Sequence, residues 1–132
     1  MGDKLTDKGE VLYRQIHPSF IDDGVPSKQP FMPTPKDAGK LSVDRAELTS
    51  AKESYALYTG SGRQSVAVYG VSVGEFEEET IACFADPLSE AEDQPENKAH
   101  AVADYSPHSS NQQKLKATRL KQKAITRGQL HP

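Results

Sequence analysis

The sequence predicts a single α+β domain, with a small, mostly antiparallel sheet of about four or five strands, one packed helix and a basic C-terminal helix. The length of 132 residues is typical of one domain. Residues 65–73 alternate apolar side chains between two sides, as a β-strand does. Two segments, Ser50–Glu53 and Ser110–Gln113, have the spacing of a capping box, which marks the N-terminus of a helix.

The predicted elements follow one another along the chain with clear breaks. Residues 11–16 are rich in strand-forming side chains, and His17-Pro18 ends this strand because proline cannot donate to a strand ladder. Residues 18–35 contain five prolines and are expected to form a long loop. The helix that opens at Ser50 ends at Gly60. The remaining predicted strands and the last helix cover residues 41–43, 65–73, 80–84, 99–103 and 110–127.

Composition limits how much of the chain can pack into a core. Only 35% of the residues are hydrophobic, 27% are charged and none is Trp. A small domain of this kind has little margin for burying its ends. We therefore expect a packed domain over residues 10–105, a disordered N-terminus over residues 1–9, and a basic helix and tail over residues 106–132. The narrow apolar stripe of that helix predicts weak docking, and its members are Ala117, Leu120 and Ala124.

Cysteine content and hydropathy indicate a cytoplasmic protein that does not enter a membrane. The single cysteine, Cys83, excludes an internal disulfide and a Cys-based zinc site. It stands in the apolar run 80–84, where a thiol usually packs as a small hydrophobic group. No apolar run approaches the roughly 20 residues that span a bilayer, and the first residues contain no apolar signal segment. Phosphate- and dinucleotide-binding motifs are absent, so we expect no cofactor.

Charge is distributed in two opposed blocks. The net charge of −3 argues against nucleic-acid binding by the whole domain. Residues 75–96 contain acidic side chains and no Lys or Arg, whereas residues 105–132 contain Lys and Arg and no acidic side chain. Such blocks can be two solvated surfaces, can attract each other, or can steer a partner. If the chain touches nucleic acid, we expect the contact through Lys114–Arg127 alone.

Three side chains form the candidate catalytic set: Arg14 and His17 at the end of the first strand, and His100 in the last one. If these strands are neighbours, the three converge at one end of the sheet. An Arg fork binds phosphate or carboxylate, and His is the usual acid or base near neutral pH. The alternative is structural, with Arg14 paired to an acid and His100 hydrogen-bonded in the core. The hydroxyl groups expected to join Arg14 around an anion are those of Ser27, Thr34 and Ser42.

The histidines do not predict a metal site. Such a site needs three or four ligands at workable spacing. His17, His100 and His108 could be combined with a carboxylate, but no ligand pair at short range marks them. We therefore expect no bound metal.

The order of several residues resembles that of the ADP-ribosyltransferases whose first motif is an arginine. That family combines an Arg on an early strand, a strand with Ser or Thr, and a later catalytic Glu. Here Arg14 is followed by Thr34 or Ser42, and then by Glu77 or Glu79. The Ser-Thr-Ser strand of the family is absent as such, and the chain is short for that fold. The resemblance implies a nucleotide-using enzyme by fold analogy.

A second resemblance covers most of residues 12–102. Five short segments occur in a fixed order: Leu12-Tyr13-Arg14-Gln15-Ile16-His17-Pro18, Pro26-Ser27 with Phe31, Leu41-Ser42-Val43, Asp86-Pro87-Leu88 and Ala99-His100-Ala101-Val102. This set is similar to one found in small bacterial proteins of unknown function. The resemblance implies a bacterial source and a recurring single-domain fold, and it carries no established activity.

Two function classes follow from these observations. The first is a non-enzymatic module that binds another protein in an accessory or regulatory role. The residues expected to contact that partner are Phe20, Phe31 and Met32 in the proline-rich loop, with Lys116, Arg119 and Lys123 on the last helix. The second is a small phosphate- or nucleotide-binding enzyme that uses Arg14, His17 and His100. The geometry of those three side chains separates the two hypotheses.

Overall fold

Five strands pair into one antiparallel sheet, which confirms the predicted α+β class. This computed structural model describes residues 2–132. Its strands are β1 (Val11–Ile16), β2 (Ile21–Asp22), β3 (Val25–Pro26), β4 (Lys40–Arg45), β5 (Ala67–Ser72), β6 (Ala82–Ala85) and β7 (His100–Asp104). Its α-helices are α1 (Ala51–Gly60), α2 (Val73–Glu78) and α3 (Ser110–Arg127). Short 3-10 turns cover Pro18–Phe20, Gln29–Phe31 and Pro35–Asp37.

The order of the strands determines which side chains become neighbours. The sheet runs β5-β1-β4-β7-β6, and β2 and β3 form a separate two-stranded hairpin within the proline-rich loop. Strand β4 therefore lies between the two strands that carry the candidate catalytic residues. Tyr13 of β1 lies opposite Asp44 of β4, and Asp44 lies opposite His100 of β7.

The two faces of the sheet have different neighbours. One face carries Leu12, Ile16 and Val43 and packs with the buried side chains of α2 and α3 in a single core cluster. Successive residues of a strand point to opposite faces, so Tyr13 and Asp44 lie on the other face. That second face is partly covered by α1 and by residues 86–98. The candidate site lies there.

Serine caps start the helices, largely as the sequence predicts. The Ser50 hydroxyl accepts a hydrogen bond from the Glu53 amide at 3.1 Å, which confirms the predicted start of α1. For α3, the cap is Ser109 instead of Ser110, and it forms a capping box with Gln112. The acidic segment after β5 forms the short helix α2, which has its own capping box between Ser72 and Glu75.

Terminal segments cover both edges of the sheet. The Gly2 amide donates to the Ala85 carbonyl at 2.6 Å, and the Leu5 amide donates to the Cys83 carbonyl at 2.8 Å, so residues 2–5 extend the sheet beside β6. The Leu5 side chain is 5% exposed and belongs to the core. The expectation of a disordered segment over residues 1–9 is corrected for residues 2–5, because the open edge of β6 supplies backbone partners. Met1 lies outside the described residues.

The C-terminal helix packs against the core more closely than its narrow apolar stripe suggests. Ala117, Leu120 and Ala124 are fully buried in the same cluster as β1 and β4. Two of the three are alanines, whose small side chains allow the backbone of α3 to approach the sheet closely. The tail beyond it pairs with the β5 edge, where the Leu130 amide donates to the Val68 carbonyl at 2.8 Å. In the described chain, α3 and the other helices lack the length and apolar character needed to cross a membrane.

Candidate functional site

A cleft opens on the face of the sheet opposite α3. It has a volume of about 300 Å³, and we call it the first hollow. Its floor is formed by strands β1, β4 and β7, one side by α1 and the other by residues 86–98. Its lining includes Tyr13, Ser42, Asp44, Leu57, Tyr58, Arg63, Leu88, Pro95, Asn97 and His100. The row Tyr13, Asp44 and His100 crosses the floor on three adjacent strands.

A second hollow adjoins the first. Its volume is about 290 Å³, and its lining includes His17, Phe20 and Pro30. Arg14, Gln15 and Tyr58 line both hollows. The two hollows therefore share a common wall, and we refer to them together as the groove.

Arg14 is located where the two hollows meet. Its Nε donates to the Pro30 carbonyl at 2.6 Å and its Nη1 donates to the Ser42 carbonyl at 3.0 Å. Its Nη2 makes no hydrogen bond to residues 2–132. Because no fully buried side-chain nitrogen or oxygen in that range lacks a partner, Nη2 must be in contact with solvent. The side chain is half-buried, and burial lowers the pKa of Arg14 below its usual value.

His100 presents one ring nitrogen to the first hollow. The residue is 9% exposed, and its Nδ1 lies 2.9 Å from the Asp86 carbonyl oxygen and 3.3 Å from Asp86 Oδ2. A carbonyl oxygen only accepts, so Nδ1 carries the proton in this contact. The other nitrogen, Nε2, has no partner in the part of the chain that the structure describes, so it too reaches solvent. In the neutral ring, Nε2 is then a hydrogen-bond acceptor.

Asp44 is held in place by a chain of hydrogen bonds. Its Oδ2 accepts from the Ser54 hydroxyl at 2.7 Å, and its Oδ1 accepts from the Asn97 side-chain amide at 2.8 Å. Ser54 in turn accepts from the Gln15 side chain at 3.0 Å. These bonds connect the sheet floor to both side walls. Each carboxylate oxygen keeps a further lone pair with which to accept from a ligand.

The predicted catalytic residues are brought near each other, but not to one point. Arg14 lines both hollows, whereas His17 lines the second hollow and His100 the first. Along β1, Arg14 also starts from the core-facing side, between Leu12 and Ile16. His17 accepts from the Ser19 amide at 3.1 Å and so caps the first 3-10 turn. The structure thus corrects the expectation of three convergent side chains.

The predicted anion-binding residues are only partly together. Ser42 lines the first hollow with Arg14. Ser27 accepts a long hydrogen bond from the Gln29 amide at 3.4 Å and is absent from the described lining of both hollows. Thr34 caps a 3-10 turn and donates to Asp37 at 2.6 Å. Arg14 and Ser42 are therefore the pair that the structure brings to the groove.

The residues expected to contact a protein partner are less accessible than the sequence suggests. Phe31 is 1% exposed and lies in the core, which corrects its assignment to a docking surface. Met32 is partly buried against that core, whereas Phe20 is 38% exposed. Proline-rich segments often lie on the surface, but here the turn Gln29–Phe31 packs beside β1 and α3. A hydrogen bond from the Tyr105 hydroxyl to the Phe31 carbonyl holds that turn.

Part of the basic block pairs with the acidic block within the chain. Arg119 contacts Glu79 at 3.0 Å and Arg127 contacts Glu75 at 2.7 Å. Lys116 donates to the Glu79 carbonyl at 2.6 Å. Lys123 remains exposed. The pairing leaves fewer charges free for nucleic acid or a protein partner than the sequence alone indicates.

Glu77 and Glu79 do not lie in the groove. Glu77 belongs to α2 and lies 3.9 Å from Lys8, and Glu79 follows the helix and pairs with Arg119. The ADP-ribosyltransferase-like order therefore does not bring a Glu beside Arg14. Within residues 2–132, no group of three or more His, Cys, Asp or Glu side chains is arranged to hold a metal. Cys83 is buried, and burial raises its pKa to about 12.

Sequence reasoning missed most of the groove. Asp44, Tyr58, Arg63 and Asn97 belong to no motif, and they meet through strand order and through the placement of α1. The one available signal was the alternation of polar Ser42 and Asp44 with apolar Leu41 and Val43 along the strand. Comparison with known proteins adds nothing to this set: no family model, curated protein or solved structure matches the chain.

Proposed function

We propose that the protein binds a small ligand through an anionic group, a phosphate or a carboxylate, which Arg14 holds where the two hollows meet. The observation that carries this proposal is the half-buried guanidinium of Arg14, whose Nη2 is without a partner in the described chain. No carboxylate oxygen of residues 2–132 lies within 4.0 Å of it. The two carbonyl partners satisfy hydrogen bonds but do not neutralise its charge.

A half-buried charge without an ion-pair partner lowers the stability of the folded protein. Removing an ion from water carries a penalty that an opposite charge normally offsets. The groups that act on Arg14 electrostatically are Tyr58, then Tyr105, then Asp37, of which Asp37 is the carboxylate. Although burial alone would raise the pKa of Asp37, hydrogen bonds from Thr34 and the charge of Arg14 lower it. The Asp37 carboxylate accepts hydrogen bonds from Thr34 and makes no ion pair with Arg14. An external anion would supply the negative charge that Arg14 lacks at contact distance.

The groove offers an anion a suitable setting. Arginine donates to phosphate and carboxylate through parallel N–H groups, and Nη2 supplies such donors at the groove. The combined space is in the range of small-molecule sites, which are concave and hold a few placed polar groups. Arg63 adds a second positive charge at the rim of the first hollow.

Titration calorimetry with inorganic phosphate tests the proposal. We expect Arg14→Gln to weaken binding at least about tenfold, because hydrogen bonds to charged groups contribute about 1.5–3 kcal/mol. Arg119→Gln is the matched control, since Arg119 pairs with Glu79 far from the groove. Circular dichroism would establish that both variants are folded. Equal affinity in the wild type and Arg14→Gln, or no binding of phosphate or simple carboxylates by the wild type, would contradict the proposal.

A protein-interaction role is the second candidate, and exposed apolar side chains near the β2–β3 hairpin favour it. Phe20 and Val25 are each 38% exposed. We place such an accessory or regulatory module in a bacterium on the sequence resemblance, and in its cytoplasm on the cysteine content and hydropathy. The double substitution Phe20→Ser and Val25→Ser should remove partners recovered by pull-down, whereas Leu115→Ser on α3 should not. An unchanged set of partners in the double variant would eliminate this candidate.

A further inference from the structure

We infer that the ligand held by Arg14 is a nucleoside monophosphate whose base carries an amino group. This inference rests on the proposed anion site and adds the identity of the part that fills the first hollow. It follows from three features of that hollow: apolar side walls, a floor of hydrogen-bond acceptors, and a direct connection to Arg14.

Apolar side chains flank the polar floor of the first hollow on two sides, and we therefore call this hollow the slot. Leu57 and Tyr58 come from α1 on one side, and Leu88 and Pro95 come from residues 86–98 on the other. The floor between them is polar. A flat ring can enter such a slot edge-first, with its faces against the apolar walls and its polar edge on the floor. Heterocyclic bases have this combination of apolar faces and a hydrogen-bonding edge.

The face of Tyr58 already attracts a flat polar group. The Arg63 guanidinium carbon lies 5.5 Å from the centre of the Tyr58 ring. Arg63 is exposed and makes no hydrogen bond or ion pair to residues 2–132, so its contact with Tyr58 is what holds its guanidinium here. This contact shows that the Tyr58 ring face accommodates a planar group.

The floor selects a base that donates hydrogen bonds. Asp44 contributes carboxylate oxygens that accept, and the Nε2 lone pair of His100 accepts whenever the ring is neutral. The two residues are direct cross-strand partners, so their Cβ atoms lie about 4.5–5.5 Å apart on the floor. An exocyclic amino group has two N–H donors to offer such a pair. A keto group in the same place would face two acceptors, which is repulsive.

One ligand can occupy both hollows at once because they adjoin. Arg14 and Tyr58 line both hollows. A base in the slot therefore places its sugar near Tyr58 and its phosphate at Arg14 Nη2. The ligand class thus combines an amino-bearing ring with a phosphate separated from it by a sugar.

A ligand panel tests this inference on the unmodified protein. Adenosine and inosine monophosphates form a matched pair, since an amino group replaces a keto group; cytidine and uridine monophosphates form a second. We expect the amino member of each pair to bind at least about tenfold more tightly than its keto partner, ribose 5-phosphate or inorganic phosphate. Equal binding of all these phosphates would overturn the inference while leaving the anion site intact. Absence of any binding would overturn both.

A substitution on the floor adds an independent readout. Asp44→Asn replaces one acceptor oxygen by a donor and should shrink the amino-over-keto preference severalfold. Asp104→Asn on β7, away from both hollows, is the matched control and should preserve the preference. A preference that Asp44→Asn leaves unchanged would contradict the role of the floor. If that variant fails to fold, the matched ligand pairs on the unmodified protein still test whether the site prefers an amino-bearing base.

Discussion

The Nε of Arg14 donates to the carbonyl oxygen of Pro30 at 2.6 Å, across 16 positions of sequence. This contact ties strand β1 to the 3-10 turn of the proline-rich loop. The same guanidinium donates to Ser42 through Nη1, and its Nη2 has no hydrogen-bond partner in residues 2–132. Arg14 therefore joins a structural role to the proposed binding role, and the two can be separated by experiment.

Arg14→Gln should affect stability and ligand response differently. We expect it to lower the free energy of unfolding by about 1–3 kcal/mol, because two carbonyls lose their donors. In addition, phosphate at about 100 times its dissociation constant should stabilise the wild type by about 2.7 kcal/mol and the variant by much less. Urea unfolding with and without phosphate measures both effects. Equal stabilisation of the two proteins would show that Arg14 does not hold the anion.

The N-terminal segment should contribute to stability through Leu5. Its side chain is buried in the core, so we expect Leu5→Ala to lower the free energy of unfolding by about 2–4 kcal/mol. Leu115→Ala is the matched control, because Leu115 is 60% exposed on α3. Chemical denaturation of both variants checks this. Similar, small losses in the two would mean that residues 2–5 do not pack against β6 in solution.

The ion pair between Glu10 and Arg45 should stabilise the start of β1. The Glu10 carboxylate is buried and accepts from Arg45 Nε at 3.0 Å and Nη2 at 3.1 Å. Glu10→Gln should cost about 1–3 kcal/mol, because it removes one charge of a largely buried pair. Glu47 also contacts Arg45 but is exposed, so Glu47→Gln should cost about 0.5 kcal/mol or less. A larger loss of stability in Glu47→Gln than in Glu10→Gln would contradict the prediction.

Acidification should weaken the contact between α2 and α3. Burial alone would raise the pKa of Glu75, but hydrogen bonds from Arg127 and Ser72 lower it below its ordinary value of 4.5. A lowered folded-state pKa means that this stabilisation is complete above the unfolded-state pKa and is lost as pH falls through the folded value. The stability difference between wild type and Glu75→Gln should therefore shrink between about pH 6 and about pH 3.

Glu78→Gln serves as the control for that comparison, because Glu78 lies on the same helix and is exposed. Its stability difference from the wild type should change little over the same range. Denaturant unfolding at several pH values gives both curves. A Glu75→Gln difference that grows on acidification would have the wrong sign for this account.

Cys83 should be inert in the folded protein. Burial raises its pKa to about 12, and the thiolate is the reactive form. We expect iodoacetamide at neutral pH to leave Cys83 unmodified in native protein and to alkylate it in urea, as mass spectrometry would show. Rapid alkylation under native conditions would mean that β6 opens readily.

The elements that depend on local pattern could be predicted from the sequence. Strand β5 alternates apolar side chains, the start of α1 carries the Ser50–Glu53 box, and α3 has its stripe at Ala117, Leu120 and Ala124. Each of these signals is contained within a few residues of the element it describes. They were sufficient for the fold class and for β1, β4, β5, β6, β7, α1 and α3, whereas the β2–β3 hairpin and α2 were not predicted.

Features that depend on strand order could not be predicted in this way. Asp44 lies between Tyr13 and His100 because β4 lies between β1 and β7, and no local pattern specifies that order. The inward position of Phe31 depends on how a proline-rich turn meets the core. The pairing of residues 2–5 likewise depends on β6 being an edge strand.

The central claim, that an anion binds Arg14 where the two hollows meet, is tested most directly by nuclear magnetic resonance of isotope-labelled protein titrated with inorganic phosphate. We predict saturable shifts of the Arg14 Nε–H signal and of the Ser42 and Tyr58 amides in the wild type, and no shift of the Ser42 and Tyr58 amides in Arg14→Gln. Shifts confined to the basic surface of α3, or none at all, would contradict it.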